Sequence, residues 1–293
     1  MGVLERKAAR MKIRSMLKSL RGGAEGEPRE GAGELVPFKG YEENRYETPY
    51  VDPLSDEDLA ELNRLLKWRC FTADARGRRF GDAAWAGKRC EPQTIPDPKI
   101  VLMHERFDLA DKHVLEVGCF EGVHTIGLSL FARRVTAIDA RMENVVKTIV
   151  RCALFGHHPT VFKHDVETRD ARLEPLRADL AHHVGVLYHL KDPVQHLLDL
   201  GTHIGRGLML DTHYAEEAEA VETYEAAGRA YRYKKYFEGG QADPFSGMYD
   251  HAKWLRLDDI AAVLKEAGFS EVEVVEKRVE RNGPRVLLFA AKA

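Results

Sequence analysis

Residues 114–128, VLEVGCFEGVHTIGL, constrain the fold more than any other stretch of this chain. Val114, Leu115 and Val117 flank Glu116, and Gly118 and Gly122 follow. Then Val123, Ile126, Gly127 and Leu128 recur at helical spacing. The pattern predicts a buried strand, a tight glycine turn and a helix. Such a turn brings backbone N–H groups close to a ligand. A dinucleotide fingerprint would require glycines at 118, 120 and 123. Those positions hold Gly118, Phe120 and Val123. Glu116 and Glu121 also flank the turn, and carboxylates there would repel a pyrophosphate. They suit a ligand that carries positive charge. The alternative is an ordinary strand–turn–helix of an α/β protein that binds nothing.

Downstream acids favour a ligand. Residues 135–139, VTAID, form a β-rich run ending in Asp139. That is about 20 residues beyond the turn, where nucleotide sites place the acid that binds ribose hydroxyls. Residues 161–165, VFKHD, form another run ending in Asp165, and 145–155 read as the helix between the two. Asp165 alone could equally be a helix cap. S-adenosylmethionine (SAM) carries a sulfonium and an ammonium but no phosphate. The 114–128 stretch resembles motif I of class I SAM-dependent methyltransferases, departing from it at Phe120, where many members have glycine. The resemblance implies a cofactor site built from Glu116, Gly118, Cys119, Phe120 and Gly122, then Asp139 and Ala140, Asp165 and Val166, and Val184. In it Asp139 takes the ribose and Asp165 lies by the adenine amine.

Residues 178–200 supply the next unit. Asp179 opens a strand running to Val184, and Pro193 starts a helix at a position where its missing N–H costs nothing. Ligands of open α/β sheets bind at the carboxyl ends of strands. Tyr188 and His189 therefore fall at the expected reaction centre. The string GVLYHLKDP, residues 185–193, resembles the matching segment of the tRNA wobble-uridine carboxymethyltransferases and their small-molecule-methylating relatives. Residues 207–215 read as the fifth strand, with Asp211 and His213 at its end. Helix 258–267 stops at Gly268, a normal C-cap. Two strands, 271–279 and 285–292, follow around a turn at Asn282-Gly283-Pro284. The expected fold is α/β, a Rossmann-like seven-stranded methyltransferase sheet with an N-terminal cap and an insertion after strand 5.

At 293 residues the chain exceeds the roughly 100–200 of one domain. It divides into a basic segment with a Gly/Glu-rich linker (1–35), a cap (36–100) and a methyltransferase domain (101–293) with an insertion at 214–256. The segment 1–21 has seven Lys and Arg against Glu5. It could touch a membrane surface, but the irregular apolar spacing favours a solvated helix. The net charge of −3 gives no global polycation for nucleic acid. The four cysteines form no C-x-x-C pair and read as reduced thiols of a cytoplasmic protein. No apolar run approaches a transmembrane helix.

The insertion is rich in aromatic residues, including Tyr236, Phe245 and Trp254, and carries the turn-like GGQADPFSGM. It reads either as a lid over a small polar substrate or as a helical hairpin packed on its own rings. His189, His213 and His251 are candidates to converge at the mouth of the sheet, where one could act as a general base. His182 and His183, inside a strand, read as structural. Asp211 and His213 give only a D-x-H spacing, too little to assign a metal. The reading is SAM-dependent O-methylation of a sugar or other polyhydroxylated small molecule, with His189, His213 and Tyr188 as catalytic candidates. The alternative is a tRNA wobble-uridine enzyme using carboxy-SAM. That family's carboxylate-binding cap lysine has no clear match here, Lys88 being the nearest. A third reading is a non-catalytic SAM-fold binding module; the acids at 116, 139 and 165 speak against it.

Overall fold

Strand alternation over 114–117, 180–181, 208–210 and 286–289 builds two cores on opposite faces of one sheet. Val114, Leu180, Met209, Leu287 and Phe289 point to one face, where Ile100, Met103 and Leu128 cover them. Leu115, Ala181, Leu208, Leu210, Val286 and Leu288 point to the other, against Val194, Leu197, Ile260 and Val263. A period of two with helices on both sides is the signature of a doubly covered sheet.

The computed structural model describes residues 51, 54–81, 92–168 and 176–293. These belong to one compact unit, Leu35–Ala293. The basic segment 1–35, the start of the expected cap, Trp85 and Lys88 lie outside the described residues. In chain order come α1 (Asp56–Leu66), β1 (Thr72–Ala73), β2 (Arg79–Phe80), α2 (Pro98–Phe107), β3 (His113–Val117), α3 (Val123–Phe131), β4 (Arg134–Asp139) and α4 (Met142–Leu154). Then follow β5 (Thr160–Lys163), β6 (Ala178–Val184), α5 (Pro193–His203), β7 (Ile204–His213), β8 (Glu222–Ala226), β9 (Arg229–Phe237) and β10 (His251–Leu255). The chain closes with α6 (Leu257–Glu266), β11 (Glu271–Glu280) and β12 (Gly283–Ala291).

The seven-stranded sheet runs β11-β12-β7-β6-β3-β4-β5. Its strands β7, β6, β3, β4 and β5 are parallel, while β12 is antiparallel to both neighbours. The expected seven-stranded α/β architecture is therefore the observed one. Helix starts follow local chemistry. Ser55 and Asp97 accept N–H bonds at the heads of α1 and α2, and Pro193 opens α5 behind Asp192. Described residues of the expected cap share a core with the sheet region: Val51, Leu59, Phe80 and Ile95 pack with Val123, Ile126 and Phe155. No helix of the described residues is long and apolar enough to cross a membrane.

The insertion differs from the helical-hairpin expectation. It is a three-stranded antiparallel sheet, β10-β9-β8. Its register pairs Tyr224 with Tyr231 and Trp254 with Lys234. Alternating aromatic and charged residues in 229–237 favour a strand once a partner strand is available.

Under the sheet, His183 Nε2 lies 2.8 Å from His196 Nε2, both rings being buried. Burial holds both histidines neutral, with His183 lowered to about 4. The unfolded chain would bind protons here from about pH 6.5 downward. Stability is thus present above pH 6.5 and is expected to fall as pH drops toward 4. His183 alone contributes on the order of 3 kcal/mol of that loss. Thermal unfolding across this range checks it; a melting temperature that does not fall would exclude neutral histidines at these positions.

Candidate active site

The carboxyl ends of β3, β4, β5 and β6 open into one cavity of about 450 Å³, within the range of small-molecule sites. At its head, Gly118 takes φ +76°, and a Cβ there would lie 2.3 Å from Val186 Cγ2. The Gly118 and Cys119 N–H groups donate to the Ile138 carbonyl at 2.9 and 3.0 Å. Phe120 adopts φ +49°, the left-handed region where glycine is the unstrained residue. That explains how the chain departs from the glycine of motif I and still keeps its turn. The Phe120 ring meets Phe245 of the insertion at 5.4 Å.

Asp139 ends β4 as the fulcrum of this loop. Its Oδ2 accepts the Phe120 N–H at 3.0 Å, and its Oδ1 accepts from the Arg141 N–H and Asn144 Nδ2. Burial nevertheless pushes its pKa up. Asp165 and Val166 follow β5 and line the same cavity, as do Glu116, Gly118, Cys119, Phe120, Ala140 and Val184. Gly122 is not among the lining residues. At φ +84° a Cβ would press on Thr148 of α4 at 3.0 Å, so this glycine serves helix packing.

The two acids of the turn separate in role. Glu116 is buried within β3, where Oε2 accepts the Thr125 hydroxyl at 2.6 Å. Burial raises its pKa to about 7. Glu121, expected to repel a phosphate, is spent on the protein itself. It accepts the N–H groups of Arg69 and Cys70 at 2.9 Å and pairs with Lys147 at 2.8 Å and Arg151 at 3.8 Å. Its partners come from the cap and from α4, and nothing local in the sequence marks them.

Past β6, a short 3-10 turn carries Tyr188 and His189 into the cavity. Trp254 Nε1 donates to the Tyr188 carbonyl at 2.9 Å, which ties β10 to this turn. His189 Nδ1 lies 2.7 Å from Glu238 Oε1. Glu238 also accepts the Gly247 N–H at 3.2 Å. Arg141 donates to the carbonyls of Gly240, Asp243 and Gly247, clamping the insertion loop beside Asp139. Sequence reading missed Glu238 and Arg141, because each acts on a segment far away in the chain.

His213 does not share the cavity with His189. It is buried behind Tyr188, with Nδ1 3.0 Å from the Pro284 carbonyl and its ring stacked on Trp254 at 4.8 Å. The insertion brings Trp254 over it. His251 pairs with Asp250 at the start of β10 and is not a lining residue either. Of the insertion's aromatics only Phe245 lines the cavity. Tyr224, Tyr231 and Tyr233 pack into the core under the main sheet, and Trp254 lies between Tyr236 and His213. The expected aromatic-lined substrate cap is thus mostly an aromatic core.

Asp211, buried at the end of β7, holds Lys99 at 2.7 Å, Arg278 at 3.0 Å and also Arg285. Burial opposes its ionisation, but these three cations keep it well below the usual carboxylate range. With its charge committed to them, Asp211 is no partner for a metal with His213. Lys99, Arg278 and Arg285 form the polar wall opposite the turn, and Arg285 lies 5.3 Å over the Tyr188 ring.

A family model described as a methyltransferase domain matches residues 94–274. The tRNA U34 carboxymethyltransferase of Shewanella loihica is 31% identical over 180 residues, which is 57% of this chain and 50% of that protein. The protein of the same name from Methylococcus capsulatus is 31% identical over 176 residues, 57% of this chain and 49% of that one. The chain thus spans about half the length of these curated relatives. Among solved structures, the N-terminal domain of EvdMO1, crystallised in the presence of SAH and D-fucose, is 23% identical with a TM-score of 0.67. The match covers 82% of this chain and 98% of that one, and shows a shared fold.

Proposed function

The chain belongs to the methyltransferase-domain family and is a SAM-dependent methyltransferase, and we propose that its acceptor is a hydroxyl group of a polar small molecule such as a sugar. The cavity fits the donor. Its glycine turn lines it at Gly118, and Glu116, Asp139 and Asp165 supply carboxylates around it. When bound, SAM supplies an electrophilic methyl carbon on a positive sulfur.

The observation that carries the reading is the His189–Glu238 pair on the cavity wall. With Glu238 accepting from Nδ1–H, the Nε2 of His189 is left as a proton acceptor. A carboxylate that fixes the tautomer and steadies the imidazolium is what a base for a hydroxyl requires. His189 would take the proton of an acceptor hydroxyl held toward the methyl group that bound SAM would supply, the sulfur keeping the electrons of the broken carbon–sulfur bond. Positioning supplies much of the remaining rate. Loop 238–248, clamped by Arg141, acts as the lid. The D-fucose present with the EvdMO1 domain is in keeping with a hydroxylated acceptor.

The second reading, carboxymethyl transfer to tRNA wobble uridine, is favoured by the names of the curated relatives. The net charge of −3 weighs against a polyanionic acceptor. Mass spectrometry of the purified protein, with methyl transfer to a panel of sugars and to tRNA, tests the two. We expect SAM or SAH to co-purify, transfer to hydroxylated small molecules, and RNA binding no tighter than about 10⁻⁴–10⁻⁶ M. Bound carboxy-SAM, or submicromolar and salt-sensitive tRNA binding, would overturn the first reading.

Donor binding has its own test. Asp139→Ala removes charge-assisted hydrogen bonds, each worth about 1.5–3 kcal/mol. It also frees the Phe120 N–H and Asn144. SAM affinity measured by calorimetry should drop about tenfold or more. Unchanged affinity would remove Asp139 from the donor site.

A further inference from the structure

We propose that Glu116, His124 and His182 form a binding site for one divalent transition-metal ion at the floor of the cavity. Their ligand atoms all lie within 4.8 Å of one another. Small side-chain rotations bring such a set to the roughly 2.0–2.2 Å bonds of zinc.

His182 is the telling residue. It sits in the middle of the sheet, 1% exposed, and neither ring nitrogen has a hydrogen-bond partner among the described residues. A neutral imidazole carries one donor and one acceptor. Leaving both unsatisfied in a core is costly, and a metal ion would use the lone pair. Its ring lies edge-on to His124 at 5.1 Å.

The other two ligands are prepared in the same sense. Glu116 gives Oε2 to the Thr125 hydroxyl and keeps Oε1 uncommitted. His124 has Nε2 3.6 Å from Asp97 Oδ2, which leaves Nδ1 for an ion. A carboxylate behind a ligating imidazole fixes its orientation and raises its basicity. Asp97 carries one negative charge, and Glu116 would supply a second on giving up its proton to an ion.

Two imidazoles and one carboxylate suit zinc and its neighbours rather than magnesium or calcium. Glu116 and His124 line the cavity, so a fourth position would open toward it. No short ligand spacing marks the site, because β3, α3 and β6 each contribute one residue. The site shares Glu116 with the donor pocket but does not depend on the acceptor assignment.

Equilibrium dialysis of the chelator-treated full chain with Zn(II), paralleled by Co(II) absorption, tests the inference. One ion per chain is expected, with a cobalt spectrum of low coordination number. His182→Leu should abolish it. Asp97→Asn keeps the helix cap and should weaken binding by about 10–100-fold. Should His182→Leu fail to fold, as read by circular dichroism, Asp97→Asn and His124→Ala carry the test. No stoichiometric binding, or binding that none of the three substitutions alters, would overturn the site.

Discussion

His189→Ala is expected to lower turnover by about 10²–10⁴-fold while SAM affinity stays nearly constant. The imidazole faces the cavity and its Nδ1 is held 2.7 Å from Glu238. Its removal therefore takes away a proton acceptor and no part of the glycine turn. Glu238→Gln should fall between wild type and His189→Ala, because a neutral amide still accepts from Nδ1–H but no longer stabilises an imidazolium. His213→Ala should behave differently. Its ring supports Trp254 and Tyr188 from behind, so it should lower the melting temperature more than it lowers the chemical step. Single-turnover kinetics with calorimetric SAM binding separate these outcomes. Full activity in His189→Ala would remove the histidine base, and transfer to an already acidic or neutral nucleophile would replace it.

Glu121→Ala should be among the most damaging single substitutions for stability. The carboxylate is buried between Lys147, 2% exposed at its side chain, and Arg151, fully buried. It also accepts two backbone N–H groups from the cap. Removing it leaves the buried Arg151 without its carboxylate and Lys147 with only Glu143, at 2.7 Å, and breaking a buried pair in this way costs about 3–5 kcal/mol. Arg151 would keep its stack on Trp68 at 4.2 Å, but that contact does not neutralise its charge. Urea unfolding of the variant checks the magnitude. A loss below about 1 kcal/mol, the scale of a surface pair, would mean that water or another anion reaches the site.

Local pattern makes the main sheet legible. The apolar alternation, the glycines at 118 and 122, Pro193 after Asp192 and the acid at 139 are all read within a few residues of chain. Strand, turn and cap preferences are short-range, so they survive in the sequence. The same holds for the cavity-lining positions expected to hold the cofactor, which sit at successive strand ends and so follow from the strand order.

The acceptor side is not legible in this way. His189 and His213 look equivalent in sequence, since each follows a strand of the parallel core. Only the fold separates them: Trp254 and the Pro284 carbonyl enclose His213, while Glu238 turns His189 into the cavity. Glu121 looks like part of the ligand site until the cap delivers Arg69 and Cys70 to it. The insertion looks helical or lid-like, and β-pairing between 222–226, 229–237 and 251–255 decides it.

What the sequence determined by itself is therefore the parallel sheet and its order of elements. Each of these rests on interactions between residues close in the chain. What only the tertiary structure decided is which charges are spent and which remain for chemistry. Asp211 with Lys99, Arg278 and Arg285, Glu121 with Lys147, and Glu116 with His124 and His182 all join residues from separate elements. A charge is consumed by whatever opposite charge lies within a few ångströms in a low-dielectric interior, and that distance is set by how the elements pack.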